Sequence, residues 1–192
     1  GGGDVLMGSV VTRDERLHLK LKLSHMRLGL GVGANDAEAV LRALPSVALR
    51  YRAQDQAARA LAQWCSQQPQ FAQVLHPAQP GAPGHAHWQQ LCGAADALGD
   101  GAAAGLFSVI VDPRYSQAQV DAFCDALALF RLGYSWGGPI SLVVPYELAS
   151  LRANGWPAHI ARGTLVRFST GLEAVADLQA DLAQALARAL PL

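Results

Sequence analysis

Residues 164–190 read TLVRFSTGLEAVADLQADLAQALARAL. The β-branched and aromatic side chains at the start of this stretch predict a strand over Thr164–Ser169. Apolar residues then recur at helical spacing, which predicts an amphipathic helix from Leu172 to Leu190. The apolar stripe of that helix comprises Val175, Leu178, Leu182 and Leu186. A strand followed closely by a long amphipathic helix indicates a layered protein in which helices cover a sheet.

The sequence before this strand and helix also alternates between the two kinds of element. Leu106–Val111 and Ile140–Val144 are short apolar runs, and each predicts a strand. Between them, Ser116 and Gln119 form the capping-box pattern that opens a helix. Few strands and several helices predict a small α/β or α+β layer with the helices on one face of the sheet.

The first hundred residues are predicted to be largely helical. The apolar run Val5–Val11 predicts a buried strand, and a helix is expected over Asp14–Leu30. A second helix is expected to begin with Asn35 as its N-cap and to end at Leu44, because Pro45 follows. A third runs from about Val47 to Ser66. The small-residue tract from Gly93 to Gly105 predicts a surface loop.

Composition excludes several classes of function. The chain has 192 residues, of which 51% are hydrophobic, enough for a buried core. Lys+Arg and Asp+Glu number 15 each, so no net charge favours nucleic acid or an anionic membrane. No apolar run approaches the roughly 20 residues of a membrane span. Three widely spaced cysteines predict reduced thiols in a cytoplasmic protein.

Three short patterns are set aside as sites. Gly133–Gly137 matches G-x-S-x-G, but a nucleophilic serine in that motif needs a strand before it and a helix after it. Here a helix is expected before the motif and a strand after it. Gly29–Gly33 lacks the preceding strand of a dinucleotide loop. His85 and His87, with His76 nearby, lack a cluster of further ligands, so no metal site is predicted.

Arg167 lies in the middle of the predicted strand over Thr164–Ser169. A guanidinium in an apolar strand is costly to bury unless an anion meets it. Two anions satisfy that condition equally well. One is a ligand from outside the chain, and the other is the carboxylate of Glu173 or Asp177 in a structural ion pair.

Several segments together resemble the Cys/Met metabolism family of fold-type I pyridoxal-phosphate enzymes. The strongest match is Tyr134-Ser-Trp-Gly-Gly138 followed by Ser141-Leu142, and the second is the stretch from Arg162 to Glu173. Supporting matches in family order are Asn35-Asp-Ala, His76-Pro-Ala, Pro80-Gly, Gly84-His85, Trp88 and Gly105-Leu-Phe-Ser108. Tryptophan at position 136 is typical of bacterial cystathionine β-lyases, whereas γ-lyases and γ-synthases more often have leucine there. Ile140 departs from the family, which commonly has glutamate at that position.

The resemblance implies an α/β fold, the C-terminal part of such an enzyme, with pyridoxal 5'-phosphate as cofactor. It implies a carbon–sulfur lyase that cleaves cystathionine or a related thioether to a thiol, pyruvate and ammonia, as in transsulfuration and methionine biosynthesis. Arg167 is expected to bind the substrate α-carboxylate. Ser135, Trp136 and Tyr134 are expected to be the catalytic residues beside it. No cofactor ligand is expected in the chain, because the Schiff-base lysine should fall about four residues before Gly1.

The resemblance also implies how the chain is organised. Residues 1–45 are expected to be the end of the cofactor domain with a connecting helix, and residues 46–192 the small C-terminal α/β domain. The family leads us to expect a homotetramer completed by the N-terminal half of the same protein, and no activity from these residues alone. Two alternatives remain open: a γ-lyase or γ-synthase of the same family, and a non-catalytic oligomerisation or binding fragment without the lysine.

Overall fold

The computed structural model describes residues 2–93, 101–151 and 155–192, and strands alternate with helices through most of this part of the chain. The α-helices are α1 (Glu15–Arg27), α2 (Ala34–Ala43), α3 (Val47–Cys65), α4 (His85–Leu91), α5 (Gln117–Ala126), α6 (Leu148–Leu151) and α7 (Val175–Ala189). The strands are β1 (Phe71–Leu75), β2 (Leu106–Val111), β3 (Arg131–Leu132), β4 (Leu142–Tyr146) and β5 (Thr164–Ser169). A short 3-10 helix, Leu44–Ser46, joins α2 to α3.

The strands form one mixed sheet in the order β1-β2-β5-β4-β3. β5 lies in the centre and pairs antiparallel with β2 on one side and with β4 on the other. β1 pairs antiparallel with β2, whereas β3 runs parallel to β4. The α/β class predicted from the sequence is confirmed.

The two faces of the sheet have different roles. Side chains alternate between faces along a strand, so Val166 and Phe168 of β5 point away from Arg167. Val166 and Phe168 are fully buried and join the core with α3, α5 and α7. Arg167 lies on the opposite face, directly across from Ser108 of β2 and Val144 of β4. The strand therefore carries its charge outside the helix-covered core.

Local signals account for two of the helix starts. Ser116 caps α5 through a complete capping box with Gln119, as predicted. Asp14 accepts a hydrogen bond from the Leu17 amide and caps α1. The prediction of Asn35 as an N-cap is wrong, because Gly33 holds that position in extended backbone and the helix already includes Ala34.

The chain divides into two compact units, Gly1–Ala48 and Leu49–Leu192. The second unit contains the sheet and the buried core. In the first unit, neither α1 nor α2 has a buried residue. The predicted strand over Val5–Val11 is wrong: these residues are in irregular structure, and Leu6, Val10 and Val11 are exposed. A strand needs a hydrogen-bonded neighbour, and among the described residues none pairs with this run.

Two further predictions concern the loop from Gly93 to Gly105 and the absence of a membrane span. Residues 94–100 of the predicted loop from Gly93 to Gly105 lie outside the described residues. Within the described ranges, no helix is both long and apolar enough to cross a membrane.

Candidate functional site

Arg167 is surrounded by aromatic rings rather than by acids. Its Nη2 donates a hydrogen bond of 2.7 Å to the carbonyl oxygen of Tyr134. Its Cζ lies 5.6 Å from the centre of the Trp136 ring and 5.7 Å from that of Tyr146. Both distances are within the range in which a cation is attracted to the face of an aromatic ring.

Of the two alternatives for Arg167, the structural ion pair with Glu173 or Asp177 does not form. No carboxylate pairs with Arg167 in the part of the chain that the structure describes. Glu173 instead accepts hydrogen bonds from the amide of Ser141 at 2.9 Å and from its hydroxyl at 2.8 Å. The guanidinium therefore retains donors that face no acidic group among the described residues.

The residues predicted to accompany Arg167 lie on the loop between β3 and β4. Tyr134 and Trp136 are 74% and 60% exposed, and Ser135 between them is also exposed. The ring of Tyr134 meets that of Tyr146 edge to face, with 6.4 Å between centres. The loop is thus an open surface in which polar and aromatic groups are available to a ligand, and Arg167 contacts it at Tyr134 and Trp136.

The second half of the same loop is fixed by contacts from three separate elements. Gln54 of α3 donates to the carbonyl oxygen of Gly138 at 2.7 Å. The amide of Leu172, which follows β5, donates to the carbonyl oxygen of Pro139 at 2.9 Å. The amide of Gly137 contacts the hydroxyl of Ser169 at 3.4 Å. These bonds hold the loop against the end of β5, the strand that carries Arg167.

Ser141 and Glu173 complete this attachment. Ser141 is fully buried, and its hydroxyl accepts a hydrogen bond of 2.8 Å from the amide of Gly171. A Cβ atom at Gly171 would collide with the carbonyl oxygen of Pro139 and with the Glu173 carboxylate, so only glycine permits this approach. Ile140, the departure from the family pattern, is 56% exposed. In this chain Glu173 supplies the carboxylate that meets Ser141.

Gly133–Gly137 does not form a nucleophile elbow. The motif lies between β3 and β4, so a strand both precedes and follows it. The helix expected before it ends at Ala126, and the two-residue strand β3 intervenes. A nucleophile elbow requires a helix directly after the serine. Here β4 follows instead, so Ser135 has no helix N-terminus that could stabilise an oxyanion.

Three residues of this site were not predicted in the roles that the structure gives them. Tyr146, Gln54 and Glu173 come from β4, from α3 and from the segment after β5. Glu173 was considered only as an ion-pair partner of Arg167. Tyr146 carried a weak signal, because it ends the strand that follows the Ser135–Trp136 loop. Gln54 carried none, since only the tertiary fold brings α3 to Gly138.

The described residues do not form a covalent site for the pyridoxal phosphate that the resemblance implies. The sequence contains two lysines, Lys20 and Lys22, and both are exposed on α1. Within the described ranges, no group of three or more His, Cys, Asp or Glu side chains could hold a metal ion. The arrangement is suited to binding an anion: a guanidinium can donate two parallel hydrogen bonds to one carboxylate.

Comparisons with known proteins show the family and the fold of the chain. The family described as Cys/Met metabolism PLP-dependent enzyme matches residues 1–187. The cystathionine beta-lyase of Salmonella typhimurium is 35% identical over 191 residues, which are 98% of this chain and 46% of that protein. The cystathionine gamma-synthase of Mycobacterium bovis is 32% identical over 187 residues, 97% of this chain and 45% of that protein.

A solved structure extends the similarity to three dimensions. The cystathionine gamma synthase from Xanthomonas oryzae pv. oryzae, in complex with cystathionine, superimposes with a TM-score of 0.79 at 32% identity. The match covers 100% of this chain and 48% of that one. The chain therefore spans about half the length of the curated relatives it matches.

Proposed function

The chain belongs to the Cys/Met metabolism family of PLP-dependent enzymes, and we propose that it supplies the substrate-carboxylate side of the active site of a carbon–sulfur β-lyase. The cofactor of the family is pyridoxal phosphate. The observation that carries the proposal is the environment of Arg167: a guanidinium without an acidic partner among the described residues, beside the exposed loop that contains Ser135 and Trp136.

Arg167 binds the α-carboxylate of the amino-acid substrate with two parallel hydrogen bonds. Its contacts with Tyr134 and Trp136 leave the guanidinium edge available for this purpose. A carboxylate held at two points fixes the direction of the Cα–H bond, and orientation of this kind accounts for a large part of enzymatic rate enhancement. Pyridoxal phosphate, when bound, supplies the electron sink that stabilises negative charge at Cα.

The neighbouring residues shape the rest of this side of the pocket. Trp136 covers the substrate with its ring, and its indole N–H can donate one hydrogen bond. The Ser135 hydroxyl lies in the same loop and can hydrogen-bond to the carboxylate or to the catalytic lysine. Tyr134 forms the wall next to them. The anchored second half of the loop, Gly137–Ser141, keeps these groups in place before the substrate arrives.

The lysine that binds the cofactor belongs, in this proposal, to the part of the intact enzyme outside these 192 residues. Lys20 and Lys22 are exposed residues of a helix and are poor candidates. Residues 1–45 are the end of the cofactor domain, and residues 46–192 are the small C-terminal domain. The intact enzyme is a cytoplasmic homotetramer, and these residues alone are inactive.

The reaction is β-elimination from cystathionine: the Cβ–S bond breaks, homocysteine leaves, and one water molecule hydrolyses the remaining three-carbon unit to pyruvate and ammonia. Support comes from Trp136 and from the similarity to a cystathionine beta-lyase over 98% of the chain. γ-Elimination or γ-synthesis is the second candidate, because named gamma-synthases are similar over 97–100% of the chain. Incubation of the full-length protein with cystathionine separates them. Cysteine and 2-oxobutyrate in place of homocysteine and pyruvate would establish γ-elimination.

Substitution of Arg167 by lysine in the full-length protein tests the carboxylate role. Lysine keeps the charge but has no planar pair of donors, so kcat/KM for cystathionine should fall at least about tenfold, or about 1.4 kcal/mol. Arg162→Lys is the matched control, because Arg162 contacts the ring of Trp156 instead. Equal kinetics for both variants would remove Arg167 from the site. A full-length protein without lyase activity or bound cofactor would instead favour the non-catalytic alternative.

A further inference from the structure

We propose that Tyr146 is a positioning residue for Arg167, whose guanidinium it holds in the orientation that receives the substrate carboxylate. This inference rests on the proposed function. Tyr146 is the last residue of β4, and it contacts Arg167 across the sheet rather than along the chain.

The register of the sheet makes this contact a direct result of the fold. Val144 lies opposite Arg167, and Tyr146 lies opposite Leu165. Residues two apart on a strand point to the same face, so Tyr146 is the diagonal neighbour of Arg167 on that face. Diagonal neighbours are within reach of long and aromatic side chains, and the Cζ of Arg167 lies 5.7 Å from the centre of the Tyr146 ring.

Tyr146 acts on Arg167 by two routes. First, its ring attracts the guanidinium directly. Unlike a carboxylate, the ring does not neutralise the positive charge of Arg167 or occupy its hydrogen-bond donors. It also packs against the ring of Tyr134, whose carbonyl oxygen accepts the 2.7 Å hydrogen bond from Arg167. Both routes restrict the side chain of Arg167 and leave its remaining N–H groups for a ligand.

The ring of Tyr146, and not its hydroxyl, carries this role. In the described ranges, its hydroxyl makes no hydrogen bond, and the residue is half-buried and outside the core cluster. Phenylalanine at position 146 should therefore keep the effect on Arg167, whereas leucine should lose it. Because the core does not include it, either variant should fold.

The test uses the full-length enzyme with its cofactor and cystathionine. A cation–ring contact at a partly exposed site is worth about 0.5–1 kcal/mol, so Tyr146→Leu should lower kcat/KM about two- to fivefold. The loss should appear mainly as a higher KM, because carboxylate binding is what the contact supports. Tyr146→Phe should stay within about twofold of the unsubstituted enzyme. Trp156→Leu, which removes a ring from Arg162, is the control and should change neither constant.

A double-substitution cycle shows whether Tyr146 works through Arg167. In an Arg167→Leu background no cation remains for the ring to hold, so Tyr146→Leu should have no further effect on kcat/KM. An equal loss in both backgrounds would overturn the inference, and so would a loss in Tyr146→Phe as large as in Tyr146→Leu. If Arg167→Leu itself leaves kcat/KM unchanged, the proposed function fails. If Arg167→Leu impairs the enzyme but Tyr146→Leu does not, the inference alone fails.

Melting temperatures of all variants separate positioning from folding. The Tyr146→Leu and Trp156→Leu variants should melt within a few degrees of the unsubstituted enzyme, because both residues lie outside the core cluster. If Tyr146→Leu unfolds, Tyr146→Met replaces it, since methionine keeps an apolar side chain of similar length without a ring. A Tyr146→Met enzyme with unchanged KM would also overturn the inference.

Discussion

His76 is only 1% exposed, although it follows the edge strand β1 directly. Its Nδ1 accepts a hydrogen bond of 3.2 Å from the amide of Ala78. Burial, and secondly the positive charge of Arg59, lower the pKa of His76 to about 4, while Asp55 opposes the shift. The side chain is therefore neutral at physiological pH.

This buried imidazole predicts a loss of stability in mild acid. The pKa is about 6.5 in the unfolded chain and about 4 in the folded one, so the unfolded state binds more protons between these values. The contribution is complete above pH 6.5 and is lost as the pH falls towards 4, by at most about 3 kcal/mol. Urea unfolding at a series of pH values measures it.

The control for this prediction is His76→Gln, which has a similar size and no titrating group. Carboxylates also affect stability in acid, so the informative quantity is the difference between the two proteins in the slope of unfolding free energy against pH. A smaller slope for His76→Gln is expected between pH 4 and 6.5. If the two proteins gave parallel curves of unfolding free energy against pH, protonation of His76 would not destabilise the folded state, and the prediction would be wrong.

Arg167 and Glu173 show what the sequence can and cannot predict about a single charged residue. A guanidinium in an apolar strand predicted that Arg167 needs an anion. The sequence could not choose between a ligand and Glu173, because both satisfy the charge. The choice depends on Ser141, which brings two donors to Glu173 through the tertiary fold.

Among the elements, α7 determines the path of the chain between α5 and β3. Asp181 of α7 is 5% exposed, and its carboxylate accepts hydrogen bonds from three successive amides, those of Ala128, Leu129 and Phe130. Phe130 is buried against Phe168 of β5, with 5.1 Å between ring centres. A single carboxylate thus connects a helix to the segment that leads into the site loop.

Asp181→Asn should destabilise the chain, because an amide has one acceptor oxygen where the carboxylate has two. One or more amides would then be buried without a full partner, at a cost of about 1–3 kcal/mol. Chemical denaturation measures this as a lower midpoint. Asp125→Asn on the exposed side of α5 is the matched control and should change the midpoint little. Similar midpoints for the two variants would contradict the role of Asp181.

Elements with strong local signals were predictable, and elements that depend on distant partners were not. The capping box of α5 and the apolar stripe of α7 lie within single helices, and both predictions are confirmed. The two-residue strand β3 exists only because it pairs with β4, so no local pattern could indicate it. The run Val5–Val11 has the composition of a strand but no neighbour to pair with among the described residues.

For the whole molecule, the two units differ in what holds them together. The core of Leu49–Leu192 includes fully buried residues from α3, α5, α7 and the sheet. In Gly1–Ala48 the two α-helices are 13 and 10 residues long and bury no side chain. Helices of that length are marginal in water without tertiary packing.

Hydrogen exchange of the 192-residue chain should therefore show two levels of protection. The strand β5 is paired with a neighbour on each side, so its amides should exchange only through global unfolding. Amides of α1 and α2 should exchange at least about a thousandfold faster, because their local opening costs little. Mass spectrometry of peptides from each unit measures the ratio. Similar rates in α1 and β5 would mean that the first unit shares the stability of the second.

The family was predictable from sequence because its motifs are short, specific and spread along the chain. The match to residues 1–187 and the similarity to cystathionine beta-lyases confirm that prediction. The division at residue 45 stays a prediction, and the reaction remains a proposal.

The alternation of side chains along β5 makes this strand intolerant of any change in its length. Deleting or inserting one residue within Thr164–Ser169 would exchange the faces of every later side chain in the strand. Arg167 would then enter the core, and Phe168 or Val166 would leave it. Surface connections tolerate changes in length, whereas within β5 only point substitutions keep every side chain on its own face.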